Sequence, residues 1–66
     1  MIVEMRTRAS RKEVDDVVER AKSMGLDVQI NWGMEKLVVA ILGSNTGQLS
    51  TDLFAVLPGV ERVPEL

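Results

Sequence analysis

The chain contains neither cysteine nor histidine among its 66 residues. Disulfide bonds are therefore excluded as a source of stability, and so are zinc sites built from thiolate and imidazole ligands. The same two absences remove the histidine base of a serine triad and the nucleophile of a thiol enzyme. We therefore expect this segment to carry no catalytic residue, no metal site and no cofactor.

Aromatic side chains and net charge are also scarce. Trp32 and Phe54 are the only aromatic residues, whereas RNA-binding sheets stack bases on several aromatic side chains. The formal charge of −2 argues against nucleic acid or an anionic membrane as a partner. No apolar run approaches the roughly 20 residues that span a bilayer, and the amino terminus lacks the order of a signal peptide. We expect a soluble, cytoplasmic protein.

The length allows one domain, residues 1–66, near the lower limit of what a single hydrophobic core stabilises. The hydrophobic content of 45% and the charged content of 27% are typical of a folded segment and argue against disorder. Because neither disulfide nor zinc is available, the remaining source of added stability is a partner. That partner is either a second copy or a larger domain of the same chain.

The stretch from residue 26 to residue 43 predicts a β-hairpin around which the rest is organised. Its first part alternates between an apolar face and a polar face, which is typical of a half-buried strand. The apolar face comprises Leu26, Val28, Ile30 and Trp32, and the polar face comprises Asp27, Gln29 and Asn31. Gly33 breaks the alternation, and residues 37–42 then run apolar without interruption. Such a run predicts a central strand that is covered on both faces.

A helix is predicted between a first short strand at residues 2–6 and this hairpin. Ser10 and Glu13 have the spacing of a capping box at its amino-terminal end. Gly25 follows the last turn, where a left-handed residue commonly ends a helix. The spacing of the apolar residues predicts one buried face, made of Val14, Val17, Val18, Ala21 and Met24.

The remainder predicts a second helix and a fourth strand. The helical spacing of Leu49, Leu53, Val56 and Leu57 predicts a helix that Pro58 and Gly59 end, and residues 60–63 predict a short strand. The order β-α-β-β-α-β predicts the α+β fold called the ferredoxin-like split βαβ arrangement. In it, two helices lie on one face of a four-stranded antiparallel sheet, with the first and third strands in the centre.

This topology leaves the other face of the sheet bare. The third strand is apolar on both sides, so either Val38, Ala40 and Leu42 or Leu37, Val39 and Ile41 must point to that bare face. An exposed apolar patch of this kind favours an interface, and we expect the domain to associate with itself there.

Two further features admit a functional interpretation, but a structural one is favoured for both. Asp15, Asp16 and Glu19 form a carboxylate cluster, but they lie on the charged face of an amphipathic helix and indicate an ordinary surface. Residues 43–47 join a strand to a helix, where phosphate-binding loops occur. They contain no lysine and match neither phosphate fingerprint, so a turn with a helix cap is predicted.

Several segments together resemble one known family, the amino-terminal ferredoxin-like regulatory domain of 3-deoxy-D-arabino-heptulosonate 7-phosphate (DAHP) synthase. The resemblance covers essentially all 66 residues and consists mainly of the positions of hydrophobic residues and glycines along the chain. The segments are Met1-Ile2-Val3, then Glu13-Val14, Val17-Val18 and Ala21, then Gly33-Met34-Glu35-Lys36 leading into Val38, Ile41 and Gly43, and finally Leu57, Val60-Glu61 and Val63.

This resemblance implies a regulatory domain that performs no chemistry itself. In the family, the domain precedes a (β/α)8 barrel that condenses phosphoenolpyruvate with erythrose 4-phosphate at a divalent metal. This transferase reaction is the first step towards the aromatic amino acids, in the shikimate pathway. Regulated members are homotetramers that bind an aromatic amino acid, commonly tyrosine, between regulatory domains of different subunits. The barrel would begin near residue 66, so we expect either an excised domain or a natural stand-alone relative.

The resemblance also implies an effector site on the second strand. Tyrosine-sensitive members carry a histidine and a serine at the positions of Gln29 and Asn31, whose amides can likewise donate and accept hydrogen bonds. Trp32 or the aliphatic face would shield the ring of a bound tyrosine or phenylalanine. The alternatives are that Gln29 and Asn31 are ordinary polar residues of an edge strand, and that Trp32 packs the end of the hairpin. The corresponding alternative function is a stand-alone, self-associating interaction module without a ligand.

Overall fold

A computed structural model describes residues 1–33, 36–43 and 49–64 of the chain. The elements follow the predicted β-α-β-β-α-β order. They are β1 (Ile2–Met5), α1 (Arg11–Ser23), β2 (Asp27–Trp32), β3 (Leu37–Leu42), α2 (Asp52–Ala55) and β4 (Val60–Arg62). Most of the loop predicted at residues 43–47 lies outside the described residues, as do residues 34–35 of the hairpin turn.

The four strands form one sheet in the order β2-β3-β1-β4, and each neighbouring pair is antiparallel. The ferredoxin-like fold and the central position of β1 and β3 are thereby confirmed. The hairpin runs in continuous register from Asp27 opposite Leu42 to Trp32 opposite Leu37. An interior strand has a neighbour on each side and an apolar sequence on both faces, so β3 is where the uninterrupted apolar run belongs.

The capping box at the start of α1 is present with both of its hydrogen bonds. The Ser10 backbone N–H donates to Oε1 of Glu13 at 2.8 Å, and the Glu13 backbone N–H donates to Oγ of Ser10 at 3.1 Å. These bonds satisfy two donors that the first turn of a helix leaves without partners.

The other end of α1 closes in a left-handed turn, as its glycine predicts. Gly25 has φ 78°, and its N–H donates to the carbonyl of Lys22 at 3.0 Å. The N–H of Leu26 donates to the carbonyl of Ala21 at 3.0 Å, which completes a Schellman motif. The half-buried Leu26 side chain packs against the core, so this turn also leads the chain into β2.

The core lies between α1 and the helix-facing side of the sheet. Its largest fully buried side chains are Phe54, Met5, Ile41, Val3, Val17 and Val39. Leu37, Val39 and Ile41 belong to this core, so the alternative set of β3, made of Val38, Ala40 and Leu42, faces the bare side of the sheet.

The predicted buried face of β2 is wrong over the second half of the strand. Val28 is half-buried, but Ile30 is 38% exposed and Trp32 is 82% exposed. Among the described strands, β2 lies at the edge of the sheet and has a neighbour on one side, so Ile30 and Trp32 keep their contact with water. Met24 is also more exposed than predicted, at 37%, because it caps α1 beyond the last helical turn.

The second helix is much shorter than the apolar spacing predicts. Only Asp52–Ala55 is helical, and Val56 is 75% exposed instead of buried. The hydroxyl of Ser50 accepts the Asp52 N–H at 3.2 Å on one side, and Pro58 interrupts the chain on the other. Phe54 is the fully buried residue of this turn. Among the described residues, no helix is long and apolar enough to cross a membrane.

Candidate functional site

The sheet face that points away from the helices is the most distinctive surface of the domain. Opposed residues of an antiparallel pair point to the same face, so the register identifies its members. Val3 opposes Val39 in the core, and the residues next to them therefore face outwards. We call the resulting surface the open face. It comprises Ile2 and Glu4 of β1, Asp27, Gln29 and Asn31 of β2, Val38, Ala40 and Leu42 of β3, and Arg62 of β4.

An aliphatic stripe runs through the middle of the open face. It consists of Ile2, Val38, Ala40 and Leu42, on the two central strands. Ile2 directly opposes Ala40, and Leu42 is 50% exposed at the end of β3. Among the described residues, no helix covers this side. Ile2 and Leu42 are exposed, whereas Val38 is half-buried and Ala40 is buried between its neighbours. The exposed part of the stripe is apolar surface left for a ligand or for another protein chain.

Gln29 and Asn31 border the aliphatic stripe on the β2 side. Gln29 opposes Ala40 and Asn31 opposes Val38, so the two amides stand in one row beside the apolar residues. Both side chains are exposed. An amide donates through its NH₂ group and accepts through its oxygen, so this row can bind both a carboxylate and an ammonium group.

Two ion pairs involve β4, and one of them, between Glu4 and Arg62, borders the stripe. Nε of Arg62 donates to Oε2 of Glu4 at 3.1 Å, linking β4 to β1. Nζ of Lys36 donates to Oε2 of Glu61, and this pair reaches across β1, which lies between β3 and β4 in the sheet. Neither pair has a local sequence signal, because the partners are 58 and 25 residues apart.

The Lys36–Glu61 pair shifts the titration of both groups. The hydrogen bond from Lys36, followed by its positive charge, lowers the pKa of the Glu61 carboxyl below its ordinary value. The hydrogen bond to Glu61 raises the pKa of the Lys36 ammonium, against the opposing effect of desolvation. The two side chains are 42% and 41% exposed, so the pair is solvated and is not a buried charge site.

Trp32 does not join Gln29 and Asn31. It opposes Leu37 of the core and therefore lies on the helix-facing side of β2. There it lines an open cavity of about 420 Å³ with Ile30 and with charged residues near the start of α1, among them Arg11 and Asp15. The structure thus brings two of the three predicted site residues together and puts the third on the opposite face.

The described residues present polar and apolar side chains on the open face. They contain no group of three or more Asp, Glu, His or Cys side chains that could hold a metal ion. Asp15 and Glu19 are exposed on α1, and Asp16 forms a surface ion pair with Lys12 at 3.8 Å, in agreement with the interpretation of this cluster as a plain surface.

Two comparisons with known proteins agree on one family. The model of the DAHP synthase ferredoxin-like domain matches residues 1–66. Among solved structures, the chain is similar to the crystal structure of phospho-2-dehydro-3-deoxyheptonate aldolase (DAHP synthase) from Thermotoga maritima, with 29% sequence identity and a TM-score of 0.85. The match covers 98% of this chain but only 19% of that enzyme chain. Comparison with curated protein sequences finds no match.

Proposed function

The chain belongs to the family of DAHP synthase ferredoxin-like domains, and on that premise we propose that it is a non-catalytic regulatory domain responding to an aromatic amino acid. Its parent enzyme would be the transferase that opens aromatic amino acid biosynthesis, with a catalytic barrel after this domain. The divalent metal of that reaction would bind in the barrel, as the family resemblance implies.

The observation that carries the proposal is the row formed by Gln29 and Asn31 beside the aliphatic stripe. A free amino acid has an ammonium and a carboxylate, and two exposed amides provide donors and acceptors for both. The apolar residues next to them provide surface for the ring. Within one copy, Trp32 lies on the other side of β2, so the aliphatic stripe is the surface that would cover the ring.

A second copy is required because one open face encloses nothing. Small-molecule sites bury most of the ligand surface in a cleft, whereas the open face of one copy covers a ligand from one side only. A homo-oligomer, such as the homotetramer that the family implies, would supply the second wall. An effector bound between two copies would favour the subunit arrangement in which it binds more tightly. Such a shift between two arrangements is what allosteric regulation requires.

The test measures the condensation rate of the full-length parent enzyme with increasing tyrosine, phenylalanine and tryptophan, and with leucine as the aliphatic control. We expect at least one aromatic amino acid to inhibit. The double variant Gln29→Ala/Asn31→Ala should raise the inhibitory concentration about tenfold or more, since two charge-assisted hydrogen bonds are lost. Lys12→Ala, on the solvated side of α1, is the matched control and should leave inhibition unchanged.

The second candidate function is a self-associating module without a ligand, and the exposed ends of the aliphatic stripe, Ile2 and Leu42, are the observation that favours it. An apolar patch between polar borders resembles the core and rim of a protein interface. The same measurement separates the two functions. If all three aromatic amino acids leave the rate of an intact oligomer unchanged, feedback is excluded and the interaction module is what remains.

A further inference from the structure

The outer edge of β2 lacks the protections that exposed sheet edges usually carry. Edge strands are normally kept short, charged or interrupted by proline, because their free backbone groups pair with other chains. At the opposite edge, β4 is three residues long and carries Glu61 and Arg62 in ion pairs. β2 is six residues long and has no proline, and its single charged residue is Asp27 at its start.

The direction of the β2 backbone groups follows from the neighbouring strands. The Ile41 N–H donates to the carbonyl of Met1 at 2.7 Å, and the Met1 amino group donates to the carbonyl of Ile41 at 3.0 Å. Ile41 therefore directs its backbone groups towards β1. Directions alternate along a strand, so the residues of β3 that direct theirs towards β2 are Val38, Ala40 and Leu42.

The partners of those three residues direct their own backbone groups back into the sheet. These partners are Asn31, Gln29 and Asp27, and the Gly33 N–H, which donates to the Lys36 carbonyl at 2.8 Å, continues the same alternation. The N–H and carbonyl groups of Val28, Ile30 and Trp32 consequently point out of the sheet, along the edge of β2 that none of the four described strands covers.

One antiparallel register uses all of these outward groups. If Ile30 opposes Ile30 of a second copy, then Val28 opposes Trp32 of that copy, and each opposed pair can exchange two hydrogen bonds. If the pairing were centred on Gln29, Leu26 would have to pair with Trp32 of the second copy, but the Leu26 N–H already donates to the carbonyl of Ala21. Centring it on Asn31 would leave Val28 opposite residue 34, beyond the end of the strand.

We propose that two copies of this chain pair through β2, antiparallel, with the two-fold axis at Ile30, so that one sheet continues through both copies. This association needs no effector and uses an edge of the sheet, so it goes beyond the proposed regulatory function. The aliphatic stripe of each copy stays uncovered by it.

The side chains fit this register on both faces. On the helix-facing side, Ile30 meets its own copy, and Trp32 lies across from Val28 of the second copy. This pairing gives an apolar neighbour to the most exposed large hydrophobic side chain of the described residues. On the open face, Gln29 lies across from Asn31, so the amides can hydrogen-bond to each other. Asp27 lies across from Gly33, and no two like charges oppose one another.

The first test is sedimentation of the 66-residue chain over a range of concentrations, comparing two lysine substitutions. Ile30→Lys opposes two like charges at the axis and should weaken the dimer about tenfold or more. Leu42→Lys puts the same charge on the aliphatic stripe, where the native side chain is also well exposed, and should leave the dimer intact. A chain that stays monomeric at millimolar concentration overturns the proposal. So does a dimer that Leu42→Lys disrupts and Ile30→Lys does not.

The second test reads the register by cross-linking, since the chain has no cysteine of its own. In the proposed register, residues 29 and 31 of different copies are opposed at about 4.5 Å between Cα atoms, within the span of a disulfide. Mixing Gln29→Cys with Asn31→Cys should therefore give a disulfide-linked heterodimer on mild oxidation. Either variant alone puts its thiols on a diagonal of about 7–8 Å and should cross-link poorly. Efficient cross-linking of one variant alone, without the mixed product, overturns the register.

Discussion

Gly59 occupies a position where a single added methyl group should cost about 1 kcal/mol more than at Gly25, the other left-handed glycine. It has φ 83°, and a Cβ built on it would lie 2.8 Å from Cβ and from Cδ of Glu13 and 2.9 Å from its Oε1. Glu13 is the residue whose carboxylate closes the capping box with Ser10. Gly59→Ala therefore strains the backbone and also pushes on the first turn of α1.

The free energy of unfolding lost in Gly59→Ala has two parts, backbone strain and the contact with Glu13, and Gly25→Ala is the control that separates them. Gly25 has φ 78°, and a Cβ on it would meet nothing within 4 Å. Gly25→Ala should therefore cost only the backbone strain, about 1–2 kcal/mol. Gly59→Ala adds the displacement of Glu13 and part of the capping box, so its total should be about 2–3 kcal/mol. In a domain this small, each kcal/mol lowers Tm by about 4–8 °C.

Urea unfolding followed by circular dichroism gives the free energies of unfolding for this comparison. Ser10→Ala alone should cost about 1 kcal/mol through loss of the cap. In the Gly59→Ala background it should cost less, because the displaced Glu13 has already weakened the box, and a double-mutant cycle measures that difference. Equal losses for Gly59→Ala and Gly25→Ala, with Ser10→Ala fully additive, would show that the close approach to Glu13 has no energetic consequence.

Two further predictions concern the core and the ion pair across β1. Phe54→Ala should lower the free energy of unfolding by about 3–5 kcal/mol, because Phe54 is fully buried. Val56→Ala, at a largely exposed position, should change it by less than about 0.5 kcal/mol. If urea unfolding gave similar free-energy losses for the two variants, the short α2 that leaves Val56 exposed would be contradicted. Because the folded state lowers the pKa of Glu61, the stability from its bond with Lys36 is present above the unfolded pKa of about 4.3 and is lost as pH falls through the folded pKa. The stability difference between the wild type and Glu61→Gln should therefore shrink on acidification in pH-dependent unfolding, and a pH-independent difference would refute the role of the charge.

The element order and α1 could be predicted because their signals are local. The capping box joins residues three apart, and the glycine that ends α1 lies one position beyond its cap. The apolar run of β3 likewise identifies an interior strand without knowledge of its neighbours. Full-length resemblance supplied the family, which the family model confirms over residues 1–66.

The candidate site was predictable only in part. Alternation alone puts Gln29 and Asn31 on one face of β2 and Trp32 on the other, and the register agrees. Alternation does not say whether the Trp32 face is covered. That depends on which strand is at the edge and on where α1 lies, and both are set by contacts between distant residues. The ion pairs Lys36–Glu61 and Glu4–Arg62 were missed for the same reason.

By itself, the sequence determined the number, order and type of the elements, because helix caps and the periods of apolar residues act over a few neighbouring positions. Only the tertiary structure decided which set of β3 residues is left on the open face. It also decided that Phe54, and not Val56, fills the core, and that Gly59 lies against Glu13. Each of these features depends on how segments far apart in the chain are brought together. Hydrophobic burial is non-directional and stabilises many arrangements of similar apolar side chains, so the arrangement that forms depends on how the whole core packs.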